Sequence, residues 1–111
     1  MTTRTTLLVV EDHPLYRHGL MDVLARSGVA DDIRSATSAA AALSILASGD
    51  DVDMALCDWR LPDADGLQFL RDVARSHPTV ARVLMSGTDD PRLPALCQEE
   101  GILGFVPKSL E

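Results

Sequence analysis

The chain has 111 residues, 46% of them hydrophobic and 24% charged, and a formal net charge of −7 at pH 7. That is one domain with a single core and an ordinary globular composition, which excludes a disordered chain. Seventeen acidic against ten basic residues argue against binding DNA, RNA or anionic membrane through bulk charge, and fit a cation or a basic partner surface better.

The opening "MTTRTT" carries no signal-peptide pattern, and no apolar run approaches the roughly 20 residues of a membrane span. A cytoplasmic protein without membrane contact is therefore expected. "TLLVV" (6–10) is an aliphatic run of strand length, the mark of a strand buried on both faces. In "PLYRHGLMDVLARSG", residues Leu15, Tyr16, Leu20, Val23 and Leu24 recur at helical spacing, with Pro14 suited to a first turn and Gly28 to a C-cap. A short strand near 32–37 precedes an Ala-rich helix capped by Ser38 and stopped by "SGDD".

"VDMALCD" (52–58) reads as a second buried strand, followed by the turn-rich "RLPDADG". In "LQFLRDVARS", residues Leu67, Leu70 and Val73 share a helical face, and Pro78 forbids continuation. "ARVLMSG" (81–87) is another apolar strand. A weaker helix follows at about 93–100, with Pro91 and Pro94 near its start, and "GFVPK" (104–108) is a last short strand. With one Trp, one Tyr and two Phe, the core must be built from Leu, Val, Ile and Ala. Cys57 and Cys97 sit in apolar contexts without metal-ligand spacing and read as buried free thiols. Leu110–Glu111 match a common cloning remnant and are set aside as non-native.

Strands alternating with helices predict an α/β fold, a doubly wound parallel sheet covered on both faces. Ligands of such sheets bind beyond the carboxyl ends of the strands. Here those ends carry Glu11–Asp12, Asp58, Ser86–Gly87 and Lys108. Taken singly, each has a bland reading: acids before a helix, a strand terminus, a loop serine, a solvated lysine. Together they offer hard oxygen ligands for Mg²⁺, a mobile cation and a hydroxyl, which suits in-line phosphoryl transfer onto a carboxylate. His13, His18 and His77 lack ligand spacing and are expected on the surface or at caps.

These stretches resemble the receiver domain of bacterial two-component response regulators, over nearly the whole chain. "LLVVEDHP" is similar to that family's first strand with its acidic pair, "CDWRLPDADG" to its phosphoacceptor strand and loop, "VLMSG" to the strand ending in the switch hydroxyl, and "GFVPK" to the aromatic-plus-lysine strand. The family commonly has proline after the lysine; here Pro107 precedes Lys108 and Ser109 follows it. The resemblance implies a five-stranded sheet of flavodoxin-like order 2-1-3-4-5. It also implies Asp58 as phosphoacceptor, Lys108 and Ser86 assisting, and Ser86 with Phe105 as the switch pair. Mg²⁺ would be held by Asp12, Asp58 and the backbone carbonyl of Arg60, with Glu11 acting largely through water. Arg60 and Thr88 would flank the acceptor, with Arg60 tuning phosphoryl lifetime. The phosphoryl donor would be a histidine kinase or a histidine phosphotransfer protein.

"EDHPLYRHGL" and "GFVPKS" resemble most the NarL/LuxR-type transcription regulators, which reach DNA only through a C-terminal domain outside this chain. The last helix of the family would begin about where the chain ends. That leaves an apolar face uncovered and predicts a homodimer or an exchanged element. Two rival readings are a degenerate receiver serving as a protein-interaction module and a small aspartyl-phosphate phosphohydrolase. Against the latter, Arg60 stands where a second acid is usual.

Overall fold

A computed structural model describes residues 4–49, 51–87 and 90–108, so the expectations for Thr88 and Leu110–Glu111 fall outside the described residues. Five strands alternate with four helices: β1 (Thr6–Val10), α1 (Pro14–Ser27), β2 (Asp32–Ala36), α2 (Ala39–Ala47), β3 (Met54–Asp58), α3 (Gly66–Ser76), β4 (Ala81–Ser86), α4 (Leu93–Glu99) and β5 (Gly104–Pro107). All pairings are parallel, in the order β2-β1-β3-β4-β5. This is the doubly wound parallel sheet expected from the alternation, in the flavodoxin-like order that the family resemblance implied.

Strand side chains alternate between two cores. Leu8 and Val10 of β1, Ala55 and Cys57 of β3 and Leu84 of β4 pack with α2, α3 and α4. Leu7, Leu56, Val83 and Met85 point to the opposite face, under Tyr16, Leu20 and Leu24 of α1. Helix α3 buries Leu67, Leu70 and Val73, the apolar face read from its sequence, together with Phe69.

Helix α1 departs from its pattern. None of its residues is buried, and Leu15 and Val23 are 89% and 62% exposed. Its apolar residues form two stripes: 16, 20 and 24 face the sheet, whereas 15, 19 and 23 turn away. The outer stripe lines an apolar groove of about 600 Å³ that reaches Val106 of β5. The strand expected at 52–58 begins at Met54, and β5 ends at Pro107, one residue before Lys108.

Two long-range contacts fix the loops. The Asp63 carboxylate accepts from the backbone N–H of Ala39 and of Ala40, both at 2.9 Å, so the loop after β3 caps α2 alongside Ser38. Arg82 donates to the carbonyls of Leu70 (3.0 Å) and Glu100 (2.6 Å), tying α3 to the end of α4. Among the described residues no helix is long and apolar enough to cross a membrane.

Candidate functional site

The carboxyl ends of β1, β3, β4 and β5 meet at one rim because parallel pairing holds them in register. Val10 is level with Cys57, Asp58 with Met85, and Ser86 with Pro107. Beyond the ladder, Glu11 N–H donates to Ala36 O (3.0 Å), Trp59 N–H to Met85 O (2.8 Å) and Lys108 N–H to Ser86 O (2.8 Å). Each polar residue is thus anchored by its neighbour's backbone. Glu11, Asp58 and Ser86 are the buried polar residues of the described chain, at 0%, 4% and 3% exposure. Burying carboxylates is costly unless something positive pairs with them.

That partner is Lys108. Its ammonium is hydrogen-bonded to Glu11 Oε1 and, at 3.2 Å, to Asp58 Oδ2. It also lies 4.5 Å from the centroid of the Tyr16 ring, a cation–π contact from the first turn of α1. Burial pulls the Lys108 pKa down, but the two carboxylates outweigh it and the net shift is upward. Burial pushes the Glu11 carboxyl up to about 7, and Asp58 beside it adds to the rise while Lys108 opposes it.

Glu11, Asp12, His13 and Asp58 each bring a ligand atom within 4.8 Å of the others. Glu11 Oε2 and Asp12 Oδ1 are enclosed yet accept no hydrogen bond. Hard oxygen donors held this close, two of them with lone pairs unused, fit a divalent cation. The sequence-predicted residues are therefore partly assembled: Glu11, Asp12, Asp58 and Lys108 converge. Ser86 closes β4 on the same rim, its carbonyl bonded to Lys108. Phe105 is half-buried against the core under α4. The Arg60 backbone N–H stands 3.4 Å from Asp58 Oδ1, and its guanidinium lies 5.7 Å from the Trp59 ring centroid.

Sequence reasoning missed three contributors. His13 sits at the N-cap of α1 with its side chain 70% exposed, in keeping with the expected surface or cap position, but it makes no cap bond and stands beside the acids. Its position between Asp12 and Pro14 was the available signal. Tyr16, read only as part of the apolar spacing of its helix, packs on the lysine. Gly66, read as part of a turn, presses against the acceptor strand: a Cβ there would overlap Asp58 O and stand 2.9 Å from both Asp58 C and Trp59 Cα.

Residues 7–111 match the family described as the response regulator receiver domain. The chain is 35% identical over 106 residues to the probable transcriptional regulatory protein NarL of Mycobacterium tuberculosis, covering 95% of this chain and 48% of that one. It spans about half the length of the curated relatives it matches. Among solved structures, the signal receiver domain of an HD domain-containing protein from Pseudomonas fluorescens superposes with a TM-score of 0.85 at 28% identity, covering 97% of this chain and 78% of that one. The MaeR response regulator bound to beryllium trifluoride gives 0.72 at 29%, covering 89% and 80%. A parallel sheet in this order, an acidic rim around a buried aspartate and a match over nearly the whole chain leave one assignment: the protein belongs to the receiver domain family of response regulators.

Proposed function

We propose that this chain is a phosphoacceptor signalling module that takes a phosphoryl group onto Asp58 from a histidine kinase or a histidine phosphotransfer protein. The observation that carries the reading is the buried Asp58 carboxylate beside the Lys108 ammonium and within the acidic cluster. An Asp58 oxygen attacks phosphorus, the P–N bond of the phosphohistidine breaks, and the imidazole leaves with the electron pair. An acyl phosphate remains. Lys108, already shared between Glu11 and Asp58, is drawn to the new phosphoryl oxygens. Glu11, Asp12, Asp58 and the carbonyl of Arg60 would hold Mg²⁺, which when bound supplies charge neutralisation for the phosphoryl group. MaeR, whose structure holds beryllium trifluoride, supports the reading by its similarity.

The added charge would draw in Ser86, and Phe105 would turn into the space it leaves, biasing a two-state equilibrium toward an output surface around α4 and β5. The output is transcription, through a DNA-binding domain that is not in residues 1–111, which form a single receiver domain. The setting is cytoplasmic. Homodimerisation through the exposed apolar side chains completes the proposal, and a monomer by light scattering at micromolar concentration would overturn that part.

Incubation with acetyl phosphate and Mg²⁺ followed by intact mass tests the core claim. Gain of one phosphoryl group, lost in Asp58→Asn, is expected. No gain in the wild type would instead identify a degenerate interaction module, and turnover of a phosphate ester would identify a phosphohydrolase.

A further inference from the structure

We propose that the imidazole of His13 is a direct ligand of the cation site beside Asp58, and that it tilts the site from Mg²⁺ toward borderline transition ions such as Mn²⁺ and Co²⁺. The inference rests on the reading of this rim as a cation site and adds a nitrogen donor to its oxygen set.

The backbone puts the ring there. His13 is the N-cap of α1 with φ −80° and ψ 110°, and Pro14 follows it at the first helical position. A residue before proline is confined to this extended region by the proline ring, so His13 cannot be absorbed into the helix. Its carbonyl accepts the first helical hydrogen bond from Arg17 N–H (2.9 Å). The Arg17 guanidinium reaches back to Glu11 O at 3.1 Å. Residues 11–13 are thereby pinned to the first turn of α1, and the ring, which caps nothing, hangs over the acids.

The distances are those of ligands rather than of a hydrogen bond. His13 Nδ1 lies 3.4 Å from Asp12 Oδ1 and 3.6 Å from Glu11 Oε1. Asp12 Oδ1 nonetheless accepts no hydrogen bond, so the imidazole is not directed at it as a donor. Two ligands about 2.0–2.2 Å from one metal stand roughly 2.8–3.1 Å apart in cis-octahedral and about 3.3–3.6 Å in tetrahedral arrangement, and the 3.4 Å between Nδ1 and Asp12 Oδ1 falls in that span. The second, independent mark is Glu11, whose side chain is fully buried and whose Oε2 accepts no hydrogen bond. A cation within reach of Oε2, Asp12 Oδ1 and Nδ1 would satisfy every one of these lone pairs.

The consequence is selectivity. Mg²⁺ takes oxygen donors and binds imidazole poorly, whereas affinity for nitrogen-containing sites rises from Mn²⁺ to Co²⁺ and beyond. An all-carboxylate rim would rank these ions by charge and size; one imidazole raises the transition ions selectively. The alternative is that His13 is only a solvent-facing neighbour of the acids, in which case removing it would leave all divalent ions unchanged or, where the ring carries a positive charge that competes with them, strengthen all of them alike.

Trp59, the single tryptophan, follows Asp58 and reports on the site by fluorescence. Wild type, His13→Ala and His13→Asn are titrated with MgCl₂ and with CoCl₂ at fixed pH; asparagine is itself a favoured N-cap, so an effect common to both variants is not fraying of α1. Expected is a loss of Co²⁺ affinity on the order of tenfold or more in both variants, with Mg²⁺ affinity changed by less than about threefold. Pulsed EPR of the Mn²⁺ complex should show coupling to an imidazole nitrogen in the wild type, absent from both variants. Equal effects on both ions, or no nitrogen coupling in the wild type, would overturn the assignment of His13 while leaving the cation site standing. Failure of the wild type to bind either ion would overturn the cation reading as well.

Discussion

Gly66 is the sharpest point at which sequence, packing and chemistry meet, and Gly66→Ala tests all three. Its backbone φ is not positive, so the requirement is for space rather than for glycine's freedom. The overlap is with the backbone of Asp58 and Trp59, which β4 holds through Trp59 N–H to Met85 O. No side chain can swing aside. Forcing a methyl group into a packed site costs about 1–3 kcal/mol. Weakening the 2.6 Å bond from Gly66 N–H to Trp59 O adds roughly 1 kcal/mol. Reduced unfolded-state entropy returns about 0.4–1 kcal/mol. Because rigid backbone is struck, the net loss should fall in the upper part of the resulting range of about 1–3.5 kcal/mol, a drop in Tm on the order of 10 °C. If α3 yields instead by moving away, Asp58 loses its support, and a misplacement of about 1 Å can cost about 100-fold in a reaction that depends on alignment. Urea unfolding and phosphoryl uptake from acetyl phosphate measure the two. Gly19→Ala is the control: a Cβ there meets nothing within 4 Å in mid-helix, so that variant should be as stable as the wild type or more so. A Gly66→Ala protein with wild-type stability and wild-type uptake would refute the argument.

The remaining predictions concern the loops and the acceptor. The backbone N–H groups of Ala40 and Ala39 hold the Asp63 carboxyl below its usual range. The folded state therefore favours the ionised form, and Asp63 contributes stability above its ordinary value of 3.8 that is lost as pH falls through the lower folded value. Asp63→Ala should lower Tm near neutral pH, and the gap to wild type should narrow in acid; a gap that widens in acid would contradict the assignment. Arg82→Met keeps the aliphatic stem but abandons the carbonyls of Leu70 and Glu100, and should cost about 1–3 kcal/mol in urea unfolding. Arg60→Ala should change the rate at which phosphorylated protein loses its phosphoryl group, followed by intact mass over time. Equal rates would remove Arg60 from that role.

The parallel sheet and the acidic rim were legible because they depend on local pattern: an apolar run that ends in a polar residue, repeated in phase with helices; the strand order itself followed from the family resemblance. Asp58, Glu11–Asp12 and Lys108 are each visible as such an ending, and parallel register does the rest. What could not be read off depends on contacts between distant segments. Asp63 looks like one acid in a turn, but its partners are the first amides of α2. The 15–19–23 stripe of α1 looks like part of a single apolar face, because a linear pattern does not say how far a sheet extends beneath a helix. His13 has no ligand spacing to Asp58 along the chain, since the two are joined only by the pairing of β1 with β3. Gly66 was hidden by its own context, as "DADG" is sufficient as a turn and conceals the close approach.

The charge balance of the rim explains why these residues behave as a unit. Fully ionised, Glu11, Asp12 and Asp58 face one ammonium, that of Lys108, so the pocket carries an excess of two negative charges in a largely buried setting. A protein can relieve such an excess with a proton or with a cation. The upward shift of Glu11 shows the first route: burial and Asp58 together favour keeping a proton on the most enclosed acid. A divalent cation relieves the excess more completely, because it neutralises two charges and uses the lone pairs of Glu11 Oε2 and Asp12 Oδ1 that no hydrogen bond occupies. The two routes compete for the same oxygens. Cation binding at this rim should therefore release protons, and Lys108, freed from sole responsibility for two carboxylates, becomes available to the phosphoryl oxygens arriving at Asp58. Calorimetric titration with Mg²⁺ in buffers of different ionisation enthalpy measures that release directly. Binding without proton release near pH 7 would show that Glu11 is already ionised and that Lys108 alone balances the site.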